Sequence, residues 1–490
     1  ILPHHTKWVS LFENLKYIVI DELHTYKGVF GSHVAHVIRR LKRICAFYGA
    51  NPIFICTSAT IKNPKELAES LTNEKHELIT KSGAPVGKKT FIFYNPPIVN
   101  PTFGVRRSAV LEVRDLSKRL FEAGIQTIIF AKSRVRVEML VTYLKSLTFN
   151  KIGDESIQGY RGGYLPSERR AIEKGLRDGS IQMVVSTNAL ELGVDIGQLQ
   201  ACIMTGYPGN IASAWQQAGR AGRRQEEALI IYVAQSTALD QYIVNHPTYF
   251  FGTHPEEVRI NPDNIIILMD HLKCAAFELP FSMTDTYGEF TVQELLAYLE
   301  EEGVLVKTST QWHWMSDRFP AHEISLRSAA QENVVIIDIT EPKNKVIGEM
   351  DTYSAMTLLH EEAIYMHQGT QFQVEKLDWE EKKAYVREVE VDYFTDANLA
   401  VELKVLSEDK SAQYESATVS YGDVGLLAIP TIFKKIRFNT HDNIGSGPIS
   451  IPPMEMHTSA TWMSFNMPEN WSEEQLTDAL NGAAYAMGSF

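Results

Sequence analysis

Cysteine is scarce in this 490-residue chain: Cys45, Cys56, Cys202 and Cys274 are its four, far apart and without metal-ligand spacing. That distribution excludes a disulfide framework and a thiolate zinc cluster within these residues, so the four read as core thiols of a reducing compartment. No apolar run reaches the ~18 residues that a membrane helix requires, and no signal-peptide pattern is visible. A cytoplasmic location with no membrane partner is therefore expected. A basic surplus is missing too. The formal net charge is -13, so any grip on nucleic acid has to come from a local groove and not from the overall field. A G-x-x-x-x-G-K-[ST] loop occurs nowhere in the sequence, which removes the usual backbone cradle and lysine for β- and γ-phosphates. What is present is 44% hydrophobic residues, enough to fill the cores of three or four domains.

The most informative stretch is QQAGRAGRR, Gln216 to Arg224. Arg220 and Arg223 sit three residues apart among Gly219, Ala221 and Gly222, small residues that let backbone approach a nucleotide. A guanidinium is a permanently charged fork of donors, suited to the charge that builds on a transferring γ-phosphate. Gln217 adds an amide beside them. The bland alternative is a solvated basic turn. Upstream, YIVIDELH (Tyr17 to His24) reads as a buried strand ending in two carboxylates and a histidine, Asp21, Glu22 and His24, where parallel α/β sheets present their chemistry. Asp21 would hold Mg²⁺ through a coordinated water and Glu22 would orient or deprotonate the attacking water.

Further strand ends follow in order. PIFICTSAT delivers Ser58 and Thr60, which can hydrogen-bond the neighbouring acidic site and contact nucleic acid. QTIIFAKSR ends in Lys132, Ser133 and Arg134, a set that suits a phosphate. YRGGYLPSERR supplies Arg161 and Gly162, with Ser167 as a candidate helix cap. IQMVVSTNALELGVDIG offers Thr187 for a nucleic-acid phosphate and Gly193 and Asp195 for the nucleotide, Asp195 accepting a ribose hydroxyl. Taken singly, Thr187 and Asp195 fit a capping or turn role better than a ligand role.

Taken together, strand-DELH, strand-SAT, strand-FAKSR, strand-STNALELGVDI and QQAGRAGRR resemble motifs II to VI of superfamily 2 nucleic-acid helicases, over roughly residues 1 to 240. The resemblance implies two RecA-like sheets, with ATP between them and nucleic acid running across both. Asp21 and Glu22 would lie on the first sheet and Arg220 and Arg223 on the second. GYRGGYLPSERR, TNALELGVDIG, GYPGNIASAWQQAGRAGRR and SAMTLLHEEAIYMHQGTQF narrow it to the bacterial mitomycin repair factor A (MrfA/YprA) helicases and their RecQ-like eukaryotic relatives.

That family implies ATP and Mg²⁺ as cofactors. It also implies three-prime to five-prime unwinding in DNA repair, single-stranded or tailed duplex DNA as partner, and a repair nuclease as a candidate associate. The family's four-cysteine zinc domain has no counterpart among these residues, so zinc is not expected. With no P-loop and a start on Ile1, the chain reads as lacking the first half of its first RecA-like domain, and by itself it is expected to hydrolyse ATP poorly. An ATP-dependent RNA helicase and an ATP-independent nucleic-acid-binding protein are the alternatives.

The expected fold is α/β: tandem RecA-like parallel sheets, the first truncated, then a winged helix and a β-rich domain. The divisions expected are 1–95 and 96–250 for the RecA-like parts, 251–323 for the winged helix, 324–467 for a β-rich barrel-like domain and 468–490 for the start of a helical region. Thr291 with Glu294 is expected to form a capping box, as is Ser472 with Gln475. Trp312 and Trp314 alternate on a hairpin, available either to stack on a base or to pack. TYSAMTLLHEEAIYM reads as one helix with His360 and Glu361 at its surface or in a local bond.

Overall fold

The apolar runs before DELH and TSAT form a parallel strand pair, Tyr17–Ile20 and Ile53–Cys56, with Tyr17 opposite Ile53 and Ile20 opposite Cys56. Helix Gly28–Phe47 makes the crossover and helix Pro64–Thr72 follows. Ile20, Leu23, Ala35, Ile38, Leu67 and Leu71 close the core. The computed structural model describes residues 1–487 except 60, 82, 84–86, 103, 149–153, 192, 193, 195, 197, 198, 223–226, 289, 323, 325, 327–332, 439 and 466–470. Its residues divide into two compact units, 1–84 with 210–216 and 251–331, and 85–209 with 217–250 and 332–490.

In the first unit, residues after 251 build a winged helix. Helix Ile265–Glu278, capped by the Asn264 side chain, precedes helix Gln293–Glu301 and the hairpin Leu305–Lys307 with Gln311–Trp314. Leu272, Phe281, Leu296, Leu299, Leu305 and Trp312 form its core. Trp312 is 2% exposed and gives its indole N–H to Glu300 at 3.3 Å, while Trp314 packs edge-on to Phe277. Both tryptophans therefore pack the wing. The capping box expected at Thr291 does not form: Thr291 pairs in a two-residue strand, and Val292 precedes the helix without a side-chain cap.

A buried polar network fastens the helix after DELH to the winged helix. Arg40 binds Glu278 and also donates to His271 Nδ1 at 3.3 Å. An arginine only donates, so His271 Nδ1 accepts and its Nε2–H donates to His33 Nδ1, 3.0 Å away. His36 gives its Nε2–H to the Pro262 carbonyl at 2.7 Å and stacks on His271. Burial, then the charge of Arg39, lowers the His36 pKa to about 4, and burial also lowers those of His33 and His271. As pH drops below the ordinary histidine value, the unfolded chain takes up protons that the folded rings still refuse. Stability is therefore present in full above pH 6.5 and declines as pH falls toward 4, with His36 contributing on the order of 3 kcal/mol. Thermal melts between pH 7.5 and 4.5 should show a falling Tm, with a flatter slope in His36→Gln; equal slopes would count against this network.

The second unit holds six parallel strands in the order Lys89–Tyr94, Ala228–Val233, Ala201–Thr205, Thr127–Phe130, Met183–Ser186 and Ile157–Tyr160. The four inner strands are near-continuously apolar and buried on both faces, whereas the edge strand Lys89–Tyr94 is half-buried to exposed. Because Lys89–Tyr94 pairs with Ala228–Val233, the division expected at 95 lies earlier, before this strand.

The β-rich part comprises two sheets. One contains Asn333–Asp338, Lys345–Asp351, Ile364–His367, Thr370–Asp378 and Lys383–Glu388, and the other is organised on the 21-residue strand Ala417–Arg437. The helix expected across TYSAMTLLHEEAIYM stops at Leu358, and Ile364–His367 is a strand paired with Thr370–Asp378. His360 is buried against Phe433 and not on the surface, although the local bond exists, from its Nδ1 to the Glu361 carbonyl at 2.8 Å. Ser167 lies inside its helix. Leu165 occupies the cap position, and its N–H is taken by Glu168. The Ser472 and Gln475 capping box forms, with bonds of 3.0 and 3.2 Å.

Candidate functional site

Strand register assembles the acidic half of the site. Because Ile20 is opposite Cys56, Asp21 and Thr57 emerge side by side at the carboxyl ends of their strands. Thr57 donates its hydroxyl to Asp21 Oδ1, which also accepts the Glu22 N–H at 2.9 Å. Backbone bonds between Leu23 N and the Thr57 carbonyl (2.8 Å) and between Thr57 N and the Ile20 carbonyl (2.9 Å) lock the two strand ends together. Glu22 turns the chain in the left-handed region, φ 52°, and its Oε2 lies 3.4 Å from His24 Nδ1.

His24 is buried, and burial lowers its pKa despite the nearby Glu22 carboxylate. As a neutral ring it accepts the Ala59 N–H at Nδ1, 3.2 Å away, so its proton resides on Nε2. Ser58 is exposed beside this group, and Thr60 lies outside the described residues. Sequence reading singled out Ser58 and Thr60 but passed over Thr57, whose role follows from register alone.

The second unit carries the arginine motif. Gln217, on helix Ile211–Ala218, is buried and donates to the Glu191 carboxylate at 3.1 Å. Arg220 spends its fork on the preceding loop: Nε and Nη2 reach the Glu191 carbonyl (2.9 and 2.5 Å) and Nη1 the Val194 carbonyl (3.0 Å). Here Arg220 fastens the loop that follows STNAL and is not extended as a finger. Arg223, Gly193 and Asp195 lie outside the described residues. Thr187 caps the short turn Asn188–Leu190 through Ala189 N at 3.4 Å. Ser133 Oγ accepts from Arg136 N at 3.2 Å at the start of helix Arg134–Thr148. Arg134 pairs with Asp351 at 3.2 Å, and Lys132 is exposed.

Arg161 departs most from its expected role. It is 1% exposed, bonds Glu138 through Nε at 2.7 Å, and gives Nη2 to the Tyr365 hydroxyl and the Met366 carbonyl, each at 3.0 Å. Glu138 also accepts from Tyr164 and from Gly369 N. Arg161 therefore braces the parallel sheet domain against the β-rich part and cannot meet a nucleic-acid phosphate. Gly162 remains exposed. Gly163, at φ +100°, lets backbone approach the neighbouring sheet: a Cβ there would lie 2.7 Å from the Glu349 carbonyl oxygen.

The chain matches three family profiles. "DEAD/DEAH box helicase" covers residues 1–67, "Helicase conserved C-terminal domain" residues 112–225, and "ATP-dependent helicase HRQ1, winged helix domain" residues 260–329. A Bacillus subtilis (strain 168) protein described as "Uncharacterized ATP-dependent helicase YprA" is 63% identical over 484 residues, which make up 98% of this chain and 65% of the relative. The crystal structure of "DUF1998 helicase MrfA bound to DNA" superposes with a TM-score of 0.92 at 62% identity, covering 98% of this chain and 64% of that one. The form bound to DNA and AMPPNP gives 0.87 at 64% identity, covering 93% and 62%. The chain thus spans just under two-thirds of the length of these relatives. With its DELH strand end, parallel sheets and winged helix, it belongs to the superfamily 2 DExH-box helicases, in the group resembling MrfA/YprA and the eukaryotic HRQ1 proteins.

Proposed function

We propose that this chain is the motor portion of an ATP-dependent DNA helicase that moves three-prime to five-prime on single-stranded or tailed duplex DNA and serves DNA repair in the cytoplasm, with a repair nuclease as a candidate partner. The observation that carries this reading is the likeness, over 98% of the chain at 62% identity, to a helicase crystallised on DNA. It also speaks against the RNA and ATP-independent alternatives.

The residues of the acidic site fit Mg-ATP. Asp21 is exposed, and its Oδ2 has no hydrogen bond among the described residues while Oδ1 is held by Thr57. An oxygen so placed suits a hard cation reached through water. Mg-ATP supplies the transferable phosphoryl group. Glu22 would orient the attacking water and take its proton, Thr57 fixes Asp21, and His24, accepting the Ala59 N–H, ties the turn after Glu22 to the TSAT strand. Arg220 holds the Glu191 and Val194 carbonyls, while Gly193 and Asp195 are assigned to the nucleotide and Arg223 to the charge on the γ-phosphate. Exposed Lys132 and Gly162, with Ser58, are the candidate backbone contacts to the strand.

Strand displacement by the complete protein should proceed on three-prime-tailed duplex DNA and fail on five-prime-tailed duplex; the reverse preference would reject the polarity. The 490 residues alone, carrying no G-x-x-x-x-G-K-[ST], should show ATP turnover at background. Nucleic-acid-stimulated turnover by them would contradict that expectation.

A further inference from the structure

The segment that leads into the winged helix, residues 256–263, has no regular secondary structure, yet it is bonded repeatedly to the part of the first unit that carries the DELH and TSAT strands. Gly28 N donates to the Arg259 carbonyl (2.8 Å), Asn261 N to the Ser32 hydroxyl (2.9 Å), and His36 to the Pro262 carbonyl (2.7 Å). Val258 and Ile260 pack against the core of those strands. Gly31 makes room for them: a Cβ there would lie 2.4 Å from Ile260 Cγ2.

The start of this segment joins two further elements of the same unit. Asn63 stands at the cap position of helix Pro64–Thr72 without capping it; its side-chain amide donates to the Val258 carbonyl and accepts the Val258 N–H, both at 2.9 Å. Lys62 N donates to the Glu256 carbonyl at 3.3 Å. The loop leaving TSAT is thereby held by the backbone of the segment. The Glu256 carboxylate bonds a different element: Oε1 accepts the Ile211 N–H at 2.7 Å and Oε2 the Ala212 N–H at 3.2 Å, while Asn210 Oδ1 accepts that of Ser213 at 2.6 Å. These are N–H groups that the first turn of helix Ile211–Ala218 cannot satisfy internally. A carboxylate there also meets the positive end of the helix dipole. Glu256 is exposed, so burial does not force it onto those donors.

We infer that Glu256 is a positioning residue for the arginine motif, fixing the first turn of the helix that leads into QQAGRAGRR to the loop that leaves TSAT. That helix carries Gln217, and Arg220 N bonds the Gln217 carbonyl at 3.0 Å, so the place of its first turn sets where both side chains begin. Gln217 and Arg220 in turn hold the Glu191 carboxylate and the carbonyls of Glu191 and Val194. A reaction that depends on aligned groups loses rate when their support is displaced, even where no substrate contact is lost. Glu256 touches no substrate; its effect runs through Gln217 and Arg220 and so rests on the ATP-driven motor proposed for this chain.

Steady-state ATP turnover of the complete protein with saturating single-stranded DNA, read together with DNA anisotropy and thermal melting, compares the parent with Glu256→Ala, Glu256→Gln and Glu257→Ala. At a temperature where all are folded, Glu256→Ala should lower kcat about tenfold and leave the KM for ATP and the affinity for DNA at the parent's values. Glutamine keeps an acceptor oxygen for the Ile211 N–H, so Glu256→Gln should recover part of that kcat. Glu257 bonds the Lys62 and Arg259 side chains instead (2.7 and 2.9 Å), and Glu257→Ala should turn over as the parent does. An unchanged kcat in Glu256→Ala, a loss that tracks the folded fraction or appears in KM, or an equal loss in Glu257→Ala would overturn the role of Glu256. A parent without DNA-stimulated turnover would reject the motor itself, and this role with it.

Discussion

Arg161→Met is expected to destabilise the second unit by about 3–5 kcal/mol, while single-strand affinity, measured at a temperature where the variant stays folded, is expected to be unchanged. The substitution leaves the Glu138 carboxylate, 1% exposed, without its cation and removes the Nη2 donor from the Met366 carbonyl and from the Tyr365 hydroxyl, which keeps only its bond to His367 Nδ1. A second change separates buried charge from lost packing. Glu138→Gln in the Arg161→Met background removes the orphaned charge but keeps an acceptor for Tyr164, so it should recover part of the lost stability. Denaturant unfolding of the two variants and anisotropy of a labelled oligonucleotide give the answer. A stable Arg161→Met with weakened DNA binding would restore Arg161 to the nucleic-acid surface.

Glu22→Gln carries the larger functional effect. In the complete protein, ATP turnover should fall by about 10²–10⁴-fold, the usual contribution of a positioned general base, while ATP binding persists. Glutamine keeps the size and can still accept a hydrogen bond, but it cannot take a proton from water. Thr57→Val should act more mildly and through Asp21: the carboxylate loses its hydroxyl partner but keeps the bond from Glu22 N. The Mg²⁺ concentration needed for half-maximal turnover should therefore rise, with little change at saturating Mg²⁺. A change in protein stability without a shift in that Mg²⁺ dependence would leave Thr57 a purely structural residue.

The parts of this site that were legible in the sequence are those fixed by short-range pattern. DELH follows four apolar residues, so its carboxylates had to emerge at a strand end, and they do. The second parallel sheet is likewise legible in the runs Thr127–Phe130 and Met183–Ser186, buried along their whole length, but not its edge strand Lys89–Tyr94, which lies across the expected domain division. What escaped were roles assigned by partners distant in sequence. Arg161 in YRGGY resembles a phosphate ligand until Glu138, Tyr365 and Met366 close around it, and Gly163 resembles a flexible loop glycine until Glu349 is placed against it. Arg220 was read as a finger because guanidinium chemistry allows it, yet carbonyls at 191 and 194 satisfy the same fork. Thr57 went unnoticed because the register that brings it to Asp21 is a property of two strands and not of either one. AIYM carries a helical signal because its apolar residues follow a helical run, and its pairing with Thr370–Asp378 overrides that local signal.

Steady-state ATP hydrolysis by the complete protein, measured without nucleic acid and then with saturating single-stranded DNA or RNA of one sequence, tests the motor reading most directly. Strong stimulation by DNA, little by RNA, and loss of the DNA-stimulated rate in Glu22→Gln are expected. Turnover indifferent to DNA, or stimulated by RNA alone, would contradict that reading.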